Sequence, residues 1–184
     1  MYTVYIKIVG ATRFEMYTNR ENVQIMKHLI GSNYARMSLL SITLTSIITS
    51  IHHIYRLGFG LLVPTIIVTL LPYVLMRWFT HTGNKGALWA YGLLTSLIFV
   101  WFGIIDGFLD HVMKALGFQN TTFLPGGDAE VVKTVFSLWS PEAGHFFYEW
   151  TGILTFIVGV FAMYYGYKFI QVQRPRAHTL ETTA

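Results

Sequence analysis

Residues 59–79 read FGLLVPTIIVTLLPYVLMRWF, with Arg77 the only charge and that one close to the end. A bilayer's hydrocarbon core is ~30 Å thick, so about 20 apolar residues rising ~1.5 Å each suffice to cross it. The stretch predicts a transmembrane helix. Pro64 and Pro72 each remove a backbone donor, which predicts a bend of the sort a packed neighbour tolerates. Reading outward, residues 37–56, 87–112 and 145–170 have the same length and character. The expected fold is an all-α integral membrane protein, a four-helix transmembrane bundle over residues 37–170.

Composition agrees. Of 184 residues, 53% are hydrophobic and 12% are charged, whereas a soluble domain carries about 25% charged residues. The net charge of +4 raises the question of a nucleic-acid partner. The basic residues are scattered along the edges of apolar segments, with no aromatic-interleaved basic patch, and nucleic acid is set aside. The absence of cysteine removes disulfides, thiolate ligands, iron–sulfur clusters and cysteine nucleophiles together. Any metal would be held by nitrogen and oxygen.

The remaining segments are polar or amphipathic. Residues 1–36 are expected to form a cytoplasmic arm that is too polar for a cleavable signal. Within it, YTVYIKIV suits a short strand and TNRENVQIMKHLIG a small helix that stops at Gly31. Between the last two spans, DAEVVKTVFSLW (128–139) begins with an acidic cap and predicts an amphipathic helix lying on the outer surface. Residues 171–184 read as a polar C-terminal tail. The first span, MSLLSITLTSIITSIHHIY, is dense in Ser and Thr, whose hydroxyls bond back to helix carbonyls or across to a close neighbour.

Orientation follows from counting Lys and Arg. With four spans, one side holds Lys7, Arg13, Arg20, Lys27, Arg36, Arg77, Lys85, Lys168, Arg174 and Arg176, and the other Arg56, Lys114 and Lys133. Ten against three places both termini in the cytoplasm, in a plasma or inner membrane.

That threading gathers distant polar residues at one level. The first span ends outward at His52 and His53, the third at Asp106, Asp110 and His111, and the fourth begins outside with His145 and Glu149. Asp106 and Asp110 are four apart and share a helix face, as do His145 and Glu149, while His111 points about 100° from Asp110. Gly103, Gly107 and Gly152 allow backbones to approach beside them. Ionisable groups inside a membrane are costly and normally face the bundle interior or a hydrated cavity, paired with one another.

Imidazole and carboxylate ligands suit Zn, Cu, Fe or Mn, and helix pairs converging on a bundle core are a familiar way to present them. His53, Asp106, Asp110, His145 and Glu149 are the candidate metal ligands, with His52 and His111 as alternates. Haem would need an axial His among the same residues and fits the carboxylates poorly. Two other classes stand beside the metal site. One is a non-catalytic accessory subunit of a larger membrane complex, in which Arg56 would pair with an aspartate as a structural bridge. The other is a proton- or ion-coupled transport component, which for four spans without an inverted repeat requires self-association. His28, His81 and His178 read as solvated, Pro125–Gly127 as a turn, and NTT at Asn120 as a chance glycosylation sequon.

Overall fold

The computed structural model describes residues 31–118 and 140–173. These form four helices, each long and apolar enough to cross a membrane: α1 (Gly31–Leu57), α2 (Phe59–Thr82), α3 (Lys85–Ala115) and α4 (Pro141–Gln173). No strand occurs among the described residues. The expected N-terminal strand and helix, the outer-surface helix over 128–139 and the end of the tail lie outside them. All four helices extend beyond the expected spans at one or both ends, and α1 is already helical at Gly31, the first described residue, where the small helix of the arm was expected to stop.

The turns explain the tight connections. A single residue, Gly58, joins α1 to α2 at φ 90°, a conformation open to glycine and costly for a side chain. Gly83 closes α2 in the left-handed region, its N–H bonding to the Phe79 carbonyl. Asn84 then caps α3, its side chain accepting from the N–H groups of Gly86 at 2.7 Å and Ala87 at 3.2 Å. Pro64 falls in the first turn of α2, where the lost N–H has no intrahelical partner anyway, so only Pro72 interrupts the helix interior.

The side chains are sorted in reverse of a water-soluble protein. On α1 the buried stripe is Ser38, Ser41, Thr45, Ser46, Thr49, His52 and Arg56, with Ile42 and Tyr55, while Leu40, Leu44, Ile47 and Ile51 are exposed. Both expected uses of the hydroxyls occur. Ser41, Thr45 and Ser50 donate to carbonyls four residues back, and Ser38 Oγ meets Tyr91 Oη of α3 at 2.6 Å. Helix α2 exposes Val63, Ile66, Ile67, Leu70, Val74 and Trp78. Apolar patches of this extent are rare on proteins surrounded by water; they are compatible with contact to a lipid bilayer.

Helix α4 meets α3 through small residues. Its buried stripe runs Gly144, Tyr148, Gly152, Thr155, Gly159, Ala162, Gly166 and Phe169, alternating steps of four and three. Packing in lipid lacks a hydrophobic drive between helices, so association depends on close backbone approach and interhelical hydrogen bonds. A Cβ on Gly107 of α3 would lie 2.9 Å from the Gly152 carbonyl oxygen, so the two backbones are in direct contact there.

From Phe99 to Val112, α3 changes its winding to π-helix. An α-helix turns 100° per residue, so each four-residue step drifts about 40° round the axis. With i→i+5 bonding the helix is wider and turns less per residue. Four-residue repeats therefore stay nearer one line, and Gly103, Asp106, Gly107, Asp110 and His111 are all buried on the same side.

Removing the buried hydroxyl contact between α1 and α3 tests the packing. Tyr91→Phe is expected to cost about 0.6–1.7 kcal/mol, the scale of interhelical hydrogen bonds in membranes, read by SDS-induced unfolding against Tyr164→Phe on the exposed surface. Equal stability of the two variants would contradict the contact's role.

Candidate metal centre

Three helices bring the polar layer together. His52 and His53 lie one to two turns before the end of α1, Asp106, Asp110 and His111 within the last turns of α3, and Tyr148, Glu149 and Thr151 two to three turns into α4. Tyr148 is the central plate: the His52 ring stacks on it at 4.2 Å and 22°, and the His111 ring meets it edge-on at 4.9 Å. His52 and His111 are themselves perpendicular, their centroids 5.0 Å apart. The His111 ring lies flat over Gly152, where any Cβ would collide with it.

Hydrogen bonds fix which nitrogen of each ring faces inward. Glu149 Oε2 lies 2.9 Å from His111 Nδ1, and Lys114 Nζ donates to Glu149 Oε1 at 2.6 Å. A carboxylate held by a lysine accepts, so Nδ1 of His111 donates. The Thr151 hydroxyl donates to the Phe147 carbonyl at 2.9 Å, which leaves its oxygen to accept from His52 Nδ1 at 2.8 Å. His53 Nδ1 donates to the Thr49 carbonyl at 3.0 Å. All three imidazoles are thus anchored through Nδ1, and Nε2 is the atom left available.

One of those available atoms faces a carboxylate directly. His52 Nε2 is 3.8 Å from Asp106 Oδ2. Two groups could each hold an ion with ligand atoms within 4.8 Å of one another: His52, His53 and Asp106, and Asp106, Asp110 and His111. Asp106 is the corner common to both. Among the described residues, His52 Nε2, His111 Nε2 and Asp106 Oδ2 are buried with no hydrogen-bond partner, a costly arrangement in a dry site unless something is bound between them. Bonds of ~2.0–2.2 Å from nitrogen and oxygen to one ion require the atoms to close in by small side-chain movements.

The expected site residues are therefore distributed as follows. Asp106, Asp110 and His53 belong to the converging groups, as do His52 and His111. Glu149 stands behind His111 and orients it. His145 is set apart: its side chain is 39% exposed and Nε2 lies 3.8 Å from Glu149 Oε1. Arg56 is buried and makes no ion pair within 4 Å among the described residues, donating instead from Nη1 to Tyr148 Oη at 2.9 Å. Tyr148, Thr151 and Lys114 were not legible as site residues, because one aromatic, one hydroxyl and one interfacial lysine carry no distinctive spacing. His111 was displaced from the ligand set by α-helical geometry. The four-residue repeat Gly103, Gly107, His111 beside Asp106, Asp110 was the available signal for a wider winding. No family model, curated protein or solved structure matches the chain.

The contact of His111 with Gly152 can be tested directly. Gly152→Ala is expected to lower stability by about 1–3 kcal/mol, the range for overpacking, and to break the Nδ1 bond to Glu149. The imidazole 15N spectrum reads that bond, and Gly60→Ala, which meets nothing within 4 Å, is the control. An unchanged His111 resonance in Gly152→Ala would overturn the placement.

Proposed function

We propose that the protein is an integral membrane protein whose helix bundle holds a divalent transition metal, one of Zn, Cu, Fe or Mn, centred on Asp106. His52, His53, Asp110 and His111 supply the other ligands. The observation that carries this reading is the shared anchoring of three imidazoles through Nδ1 onto a carboxylate, a hydroxyl and a carbonyl. Ligating histidines almost always donate their other ring N–H to such an acceptor, which fixes the ring and raises its basicity. Charge supports it as well. Among the described residues of the layer, Asp106, Asp110 and Glu149, when ionised, outnumber Arg56 and Lys114 by one charge, a balance that a divalent ion would reverse.

A metal bound here would polarise an oxygen or lower the pKa of a bound water, or carry electrons if redox-active. The chain's own residues would do the rest. Lys114 and Glu149 hold His111 in register, Thr151 holds His52, and Tyr148 packs against both rings and shields them from solvent. The site sits near the extracytoplasmic ends of the helices, since the excess of Lys and Arg assigns both termini to the cytoplasm.

Elemental analysis after detergent purification is expected to find stoichiometric metal in the wild-type chain and none in Asp106→Asn. Glu149→Gln is expected to retain the ligands yet weaken affinity about 10–100-fold, the usual loss when a supporting hydrogen bond is removed. Metal in both the wild type and Asp106→Asn, or in neither, would defeat the reading. Orientation has its own test because no native cysteine is present. In intact cells, an impermeant thiol reagent should label Phe118→Cys and spare His81→Cys, and the opposite pattern would invert the topology.

A further inference from the structure

A cleft between α1, α2 and α3 lies beside the metal groups and shares His53 and Asp106 with them. It encloses about 440 Å³, a volume within the range of small-molecule pockets. Its deep lining is polar, with Ser46, Arg56 and Asp106 all buried. Its outer lining is apolar, and Leu57 and Trp101 at the rim are more than half exposed, at 56% and 52%. The opening therefore lies on the apolar outer surface of the helices.

Two residues lining this cleft each carry a buried polar atom with no hydrogen-bond partner among the described residues: Ser46 Oγ and Arg56 Nε. The guanidinium has one hydrogen bond, to Tyr148 Oη, with its Cζ 5.8 Å from that ring's centre. No carboxylate comes within ion-pairing distance of it among the described residues. A buried cation with spare donors is costly, and the planar fork of arginine matches the two oxygens of a carboxylate.

We propose that this cleft binds the carboxylate head of a single-chain amphiphile of the fatty-acid class, the head on Arg56 and Ser46 and the chain running out past Val68 and Phe102. Asp106 borders the same space, which disfavours a doubly charged phosphate head and favours a head of one negative charge. The inference goes beyond the metal reading and does not require it, although His53 and Asp106 border both.

Tritiated oleate binding to the full chain in phosphatidylcholine nanodiscs, corrected for empty discs, is the test. A saturable component is expected, against which oleyl alcohol competes poorly. Arg56→Gln should weaken it about tenfold to a hundredfold, the scale of a lost hydrogen bond to a charged group. Thr65→Phe, which fills the cleft from α2, should weaken it likewise while metal content and melting temperature stay at wild-type values. Absence of saturable binding, equal competition by oleyl alcohol, or wild-type affinity in Thr65→Phe would overturn the proposal. Oleate binding by a protein that purifies without metal would uphold the cleft and remove the metal centre; metal without oleate binding would do the reverse.

Discussion

A backbone and a set of polar side chains that must be satisfied without water form the constraint on which this structure rests. Helix α1 carries Ser38, Ser41, Thr45, Thr49 and His52 along one face. In hydrocarbon none of these could be left outward without cost. The stripe turns inward, and α3 and α4 have to come close enough to receive it. Gly166 of α4 leaves room for Ser38 of α1, and glycines at 107, 152 and 159 let α3 and α4 meet each other. The polar layer at the ends of α1 and α3 is thus continuous with the packing of the whole bundle, since the stripe that holds α1 in place ends in the ring of His52.

Close approach also fixes the chemistry of the layer. Because His111 lies on Gly152, its Nδ1 reaches Glu149 one turn back along α4, and Lys114 completes the chain from the end of α3. Because Thr151 is spent on its own helix, it can only accept from His52. Each ring is oriented by a group that has little freedom to move. Preorganisation of this kind is what a cluster that could hold an ion requires.

Much of this was legible in the residues. The four helices follow from uninterrupted apolar length, and the meeting of Asp106 with distant histidines follows from helix parity alone. What could not be read was local. The π-helical winding of α3 brings His111 and Asp110 to one side, and nothing in an apolar segment announces i→i+5 bonding. That His52 joins His53 in the layer depends on Thr151 across the interface, which a pair of adjacent residues does not announce. Arg56 counts as an outer-loop charge in topology, yet it is drawn inside by Tyr148.

The unequal packing of the helices has an evolutionary consequence. Helix α2 shows most of its side chains to the surroundings, so many substitutions among apolar residues there exchange one greasy surface for another. The buried face of helix α4 has less latitude, because a side chain at Gly152 or Gly159 would meet the ring of His111 or Phe99. Over long divergence the two should age differently, with α2 scrambling its letters while keeping its oiliness and α4 preserving a fixed cadence of small residues.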